Sequence, residues 1–360
     1  MRYLVNDPSR IDPRAKLTTK IISEITGETG LTYPKKQYIE LTGTKSLKIL
    51  AGTIISISDA IFKTEIDVIL SESDLDVDSF VVGKDYYVYC CDNGTDTESY
   101  KISLNTTYPI GYTAEKTRKI GGFHYGDCRK INSNIEPINI SGEAWGTGWE
   151  DNIFQGILPY SIWTLAHRPK SEPEGMVFCP SINKWVDIYI QSINYKSEYG
   201  SVPLTGTEGM SYYDFHEKVA RKIRKTPLSY LEFCSVADGS PNGRADSNDY
   251  AWSKTTNIAR NGCGLVAKAV SVYGLKDCAG NVYEVSKDIS WEGSGTFAWR
   301  SGANVKKGAI FAASDTDPKM LLHGALWDDG SSCGSRSANC FHYPWFVNTA
   351  VGCRFSSDSL

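Results

Sequence analysis

Residues 321–355 read LLHGALWDDGSSCGSRSANCFHYPWFVNTAVGCRF, and together with CAGNVYEV at 278–285 they decide how the chain is read. The segment alternates two kinds of residue. Gly324, Trp327, Gly334, Arg336, Asn339, Trp345, Gly352, Arg354 and Phe355 suit a scaffold that holds loops: glycine permits positive φ and close approach, tryptophan fills volume, and arginine ties loops down through charge-assisted bonds. Upstream, Gly280, Asn281, Val282, Tyr283 and Glu284 extend the same frame. Between the frame positions the alphabet is restricted. No Lys, Glu, Gln or Met occurs from Leu321 to Phe355, although Lys319 and Met320 come just before it. At ordinary usage that absence has a chance below about one per cent.

Phe341-His342-Tyr343, next to Pro344-Trp345, breaks both strand alternation and helical period. Two readings are open: the rings form a contact surface, or they pack inward as a loop core.

In the order and spacing of the frame, with LSYLEFCSVADGS at 228–240 ahead of it, residues 205–360 resemble the C-type-lectin fold in the branch shared by formylglycine-generating enzymes and diversity-generating-retroelement variable proteins. In the variable proteins, asparagine codons are rewritten at template adenines, which cannot produce Lys, Glu, Gln, Met or Trp. The resemblance therefore implies diversified, ligand-contacting positions at His323, Ala325, Leu326, Asp328, Asp329, Ser332, Cys333, Cys340, Phe341, His342, Tyr343, Phe346 and Ala350. Further upstream, GKDYYVYC, SLNTTYPIGY, TRKIGGFH, ILPYSIWTLAHRP, EGMV and KWVDIYIQS resemble the N-terminal and linking regions of phage tropism-determinant proteins.

What that family implies is a non-enzymatic receptor-binding protein at a phage tail-fibre tip, made in the host cytoplasm without a signal peptide. It would be a homotrimer, bind a bacterial surface protein or glycan, attach to tail components through its N-terminal region, and need no cofactor, metal, nucleic acid or membrane insertion. A bacterial diversified binding protein outside any phage is the runner-up. A formylglycine-generating-type enzyme is the alternative of another class, but Asp328 and Asp329 follow Trp327 where that chemistry needs a cysteine pair. Calcium-dependent sugar binding lacks its EPN or QPD signature: Glu136-Pro137 leads to Ile138 and Glu172-Pro173 to Glu174.

The rest of the 360 residues fits this picture. With 38 Lys+Arg against 42 Asp+Glu the net charge is −4, so the broad positive field of a nucleic-acid binder is missing. Thirty-two glycines, 21 tyrosines and nine tryptophans favour loops and β-structure. The opening MRYLVNDPSR has no apolar core for a secretory signal, and no stretch approaches bilayer-spanning length. The ten cysteines show no metal-ligand spacing and read as mostly buried or free thiols, with one or two disulfides conceivable in oxidising surroundings.

The fold expected is α+β and β-rich. Residues 1–45 form an attachment or trimerisation arm in which Leu17, Ile21 and Ile25 mark a short amphipathic helix or a loosely ordered stretch. Residues 46–122 form a small β-module that exits at Gly121-Gly122, 123–204 an irregular aromatic linker, and 205–360 the lectin-like domain. Two helices are expected: one with Tyr212, Phe215, Val219 and Ile223 on one face, and a second begun by Thr226-Pro227 and running through Leu228, Leu231 and Cys234.

Overall fold

The computed structural model describes residues 2–4, 37–58, 60–95, 98–132, 134, 138, 151–290, 298–300, 308–312 and 317–360. The amphipathic stretch at Leu17–Ile25 lies outside them. The chain divides into two compact units, Met1–Tyr125 with Ser161–Arg168, and Gly126–Tyr160 with Pro169–Leu360.

The first unit is built from short antiparallel strands. Arg2–Leu4, Ala60–Lys63 and Ile54–Ile57 form one sheet, while Ile39–Gly43, Ser46–Ile49 and Val68–Leu70 form another. Period-two alternation explains the latter, since Leu47 and Ile49 point inward and Lys48 outward. The third sheet centres on Lys84–Asp92, flanked by Glu98–Ser103 and Thr117–Arg129. Its run Tyr86 to Cys91 is buried throughout, as a strand covered on both faces must be. Phe80, Tyr86, Phe123 and Tyr125 close that core, with Phe80 stacked on Tyr125 at 5.0 Å and edge-on to Tyr86 at 5.0 Å.

Gly121-Gly122, expected to end the module, lies instead inside the 13-residue strand Thr117–Arg129. Trp163–Thr164 pairs across these two residues. A Cβ on Gly121 would stand 2.4 Å from the Trp163 carbonyl oxygen, and one on Gly122 would stand 2.5 Å from that of Tyr86. The pair marks a close approach of strands, which is the other physical meaning of glycine in a β-run.

In the second unit a four-stranded sheet runs Met176–Cys179, Lys184–Asp187, Phe355–Asp358, Thr226–Pro227. A six-stranded sheet runs Ala298–Arg300, Ile310–Ala312, Ala338–Asn339, Lys319–His323, Tyr283–Ser290, Val351–Gly352. Trp185, Val186, Ile188 and Ile190 pack with Phe233, Val236, Leu275, Val282 and Trp327 in one core cluster. Residues read as linker thus supply core to this unit.

Tyr212–Asp214, Phe215–Val219 and Ala220–Ile223 make one continuous helix with a π-helical middle. It buries Tyr212, Phe215 and Val219, opens with a Ser211–Asp214 capping box, and ends at Arg224 in the left-handed region. Thr226-Pro227 does not start the second helix. It pairs with Phe355 and Ser356, and Ser229 caps Tyr230–Val236 instead, accepting from Glu232 N at 3.1 Å while Glu232 accepts from Ser229 N at 2.8 Å. Leu231 accordingly faces outward at 78% exposure, while Leu228 is buried ahead of the helix. All ten cysteines are free thiols. Among the described residues no helix is long and apolar enough to cross a membrane.

Candidate functional site

Arg354, fully buried, organises the scaffold under residues 321–355. It forks onto Glu284 at 3.0 and 2.8 Å and donates to the carbonyls of Asp187, Ile188 and Lys276 at 2.6–2.9 Å. Burial works against its charge, but the Glu284 carboxylate and the other negative groups around it raise the guanidinium pKa, while burial pushes the Glu284 carboxyl up against the pull of Arg354. One side chain thereby joins three chain segments. Gly280 passes so near Trp252 that a Cβ would lie 2.6 Å from the Trp252 carbonyl oxygen, and the next residue, Asn281, holds φ +67° while its carboxamide oxygen accepts from Asn261 N at 2.8 Å.

Trp327 is buried, and its carbonyl accepts from Asn257 Nδ2 at 2.9 Å. Asp329 accepts from Tyr283 Oη at 2.7 Å and from Leu326 N at 2.9 Å. Burial pushes its carboxyl pKa up, against the pull of those two donors. The Arg336 carbonyl accepts from Tyr230 Oη, and Asn339 Oδ1 accepts from Phe341 N. Gly352 pairs in parallel with Glu284, and Gly324, Gly334 and Phe355 are buried.

The expected contact positions separate into groups. His323, Ala325 and Cys333 are fully buried, which corrects their placement on a contact face. His323 sits in register between Glu284 and Ala338, in the middle of the six-stranded sheet, and its ring stacks on Phe233 at 3.8 Å. Neither of its nitrogens has a hydrogen-bond partner, and burial drives its pKa well below the usual value. Ala325 is held at φ +65° beneath the turn. Leu326 and Ala350 are half-buried against the core, and Ser332 and Cys340 are partly exposed. Asp328 is exposed, whereas Asp329 is tied down as described.

The aromatic run does reach the surface. Phe341 is 38% exposed and edges onto Phe311 at 5.9 Å. His342 stacks on Phe346 at 4.0 Å with planes 6° apart, and burial, reinforced by the Lys319 charge, lowers its pKa to about 4. Tyr343 stacks on Trp345 at 5.0 Å with planes 4° apart, and Lys319 Nζ lies 3.4 Å from the Tyr343 ring centre. Trp345, expected in the frame, is 62% exposed: the chain turns outward after Pro344, so the indole covers a neighbouring ring and not the core. Of this run only His342 borders a hollow of about 470 Å³, walled also by Tyr283, Phe311, Leu326, Trp327 and Asn348.

Sequence reasoning missed Lys319, Phe311 and Asn348. A lone cation at the edge of a segment without lysine was a usable signal for Lys319; Phe311, in a plain apolar run, offered none. Among the described residues no group of three or more His, Cys, Asp or Glu side chains is placed to hold a metal.

Residues 37–150 match the family described as the Mtd second domain. The chain is 25% identical over 345 residues to the tail fiber receptor-binding protein of Bordetella phage BPP-1, covering 89% of this chain and 81% of that protein. Among solved structures it is similar to the Major Tropism Determinant M1 variant, with TM-score 0.68, 22% identity, and 92% and 85% of the two chains covered. The P3c variant gives 0.67 and 22%, with 90% and 83% covered. The fold is therefore that of these determinants, β-rich with a C-type-lectin-like part, and the chain resembles the retroelement-diversified tropism proteins.

Proposed function

We propose that this chain is a non-enzymatic receptor-binding protein of a phage tail fibre, and that the surface around Phe341, Tyr343 and Trp345 touches a bacterial surface ligand. The observation that carries this is a run of rings at the surface, Phe341 and Trp345 exposed and His342 lining an open hollow, in a unit whose scaffold is locked by Arg354. Large exposed apolar groups on a monomer mark a contact, and rings with few rotatable bonds on a rigid base lose little entropy on binding. The colinear likeness to a tail-fibre receptor-binding protein supports the same reading.

In this proposal Asp328, Ser332, Cys340, Phe341, His342, Tyr343 and Phe346 vary between copies of the gene, the N-terminal region joins the tail, and three chains present their faces together so that weak single contacts add up to avidity. Sequencing the 3′ end of the gene and its flanks across one natural population tests it. Substitutions confined to template adenines, with a nearby repeat and reverse transcriptase, are expected; an invariant segment would sink the diversification. Light scattering at micromolar concentration is expected to give the trimer mass, and a strictly monomeric mass would remove the multivalent arrangement.

A further inference from the structure

We propose that the second unit carries a small-molecule site away from the aromatic run, in the groove along the helix Tyr230–Val236, and that Arg336 there binds the carboxylate of a ligand with an apolar or aryl stem. The inference goes beyond the receptor-binding reading and does not depend on it.

Arg336 is the frame arginine whose charge the scaffold does not use. Arg354 commits its guanidinium to Glu284 and three carbonyls. At Arg336 only the backbone is tied. Its carbonyl accepts from Tyr230 Oη at 2.7 Å, and Ser337 beside it donates from N to the Gly334 carbonyl at 3.0 Å and from Oγ to that of Ser332 at 2.6 Å. The residue is half-buried, and no hydrogen bond or ion pair among the described residues engages its guanidinium. A planar fork of five donors on a fixed backbone matches the two oxygens of a carboxylate.

Arg336 lines a second hollow, of about 880 Å³, within the size range of small-molecule sites. Tyr230, Leu231, Cys234 and Ser235, neighbours on one side of the helix, line it, as do Val272 and Tyr273. The guanidinium charge is felt there: burial pushes the Tyr230 phenol and the Cys234 thiol up, and Arg336 pulls both down against it. Leu231, 78% exposed, offers apolar surface that a stem would cover. Ile310 borders this hollow while the next residue of its strand, Phe311, borders the one at His342, so the two lie on opposite faces of the six-stranded sheet. The lining also selects the charge of the ligand. Among the described residues on it Asp238 is the one carboxylate and Arg336 the one cation. A phosphate dianion would be repelled by Asp238 with a single cation to offset it, whereas a monocarboxylate on an apolar stem needs only what is present.

The test is isothermal titration of the full chain with 4-phenylbutyrate. Saturable one-site binding is expected at roughly millimolar concentration, the scale that about a dozen non-hydrogen atoms supply. Arg336→Met is expected to weaken it at least about tenfold while melting within about 2 °C of the parent, because the guanidinium holds nothing in the fold. Leu231→Glu, at an exposed position, sets a second carboxylate on the lining and is expected to weaken binding as well. 4-Phenylbutylamine is expected not to bind, and inorganic phosphate not to displace the carboxylate. No saturation by about 20 mM overturns the site, as does affinity left intact in Arg336→Met. If that variant melts far below the parent, Leu231→Glu decides, and undiminished binding by it overturns the site. Equal binding of the amine, or displacement by phosphate, overturns the assignment of a monocarboxylate. No cells enter these titrations, so their failure leaves the receptor-binding reading standing.

Discussion

Residues 321–339 and 340–350 share one restricted alphabet and meet opposite fates. In the first stretch His323, Ala325, Trp327 and Cys333 go inward; in the second, Phe341, Trp345 and Val347 come out. For His323 the difference is one of backbone pairing, while Ala325, Trp327 and Cys333 are buried by turns packed into the core clusters. Lys319–His323 is hydrogen-bonded on both edges, to Tyr283–Ser290 and to Ala338–Asn339, so its side chains have core above and below. Past Asn339 only isolated bonds continue the ladder, from Cys340 N to the Phe311 carbonyl and from Met320 N to that of His342, and from Cys340 to Ala350 no strand forms before Val351–Gly352. Residue type alone does not assign a side chain to scaffold or contact surface; the neighbour across the sheet does.

That contrast breaks most easily from the buried side. Trp327→Ala is expected to destabilise the chain by about 3–5 kcal/mol through transfer and cavity terms, and Arg354→Met, which abandons Glu284 and three carbonyls, by a similar about 3–5 kcal/mol. Urea unfolding measures both, and a loss under about 1 kcal/mol for either would mean that the scaffold does not depend on these residues.

Acid sharpens the comparison next. His342 titrates near pH 4 in the folded chain against an ordinary 6.5 when unfolded. Its folded pKa is depressed, so the unfolded state takes the proton first, and stability present above pH 6.5 drains as pH falls toward 4. His342→Phe should flatten unfolding free energy against pH across that window, and an unchanged slope would show that His342 is solvated. His323→Leu, which removes two unpartnered buried nitrogens at similar volume, should cost less than about 1.5 kcal/mol or even stabilise. A larger loss in thermal melts would mean that the imidazole has a partner in solution.

The smallest effect belongs to the outward side. Phe341→Ala should move unfolding free energy by less than about 1 kcal/mol while weakening adsorption to cells. The reverse outcome would place that ring in the core and erase the contrast.

How much of this was readable in advance follows the same divide. The amphipathic helix at Tyr212–Ile223 and the strands of the first unit are legible because local period determines them. Gly280, Trp327 and Arg354 stood out through the order and spacing of the family frame they resemble, and few residue types suit tight approach, large volume or multidentate bonding. His323 and Trp345 changed places because burial there is set by strands distant in sequence. Trp185 lies opposite Ser357, far along the chain, so nothing local marked residues 176–190 as core.

The passage of Trp163 beside Gly121-Gly122 also bears on how the chain is made. The first unit is discontinuous: it needs Ser161–Arg168, which follows a stretch belonging to the second. On the ribosome, the strand Thr117–Arg129 would wait with its glycines uncovered until residue 168 has emerged, so the N-terminal unit cannot close as soon as its first 125 residues are out. A fragment ending at Tyr125 would carry a permanently open edge there, and its tendency to aggregate would report the missing strand.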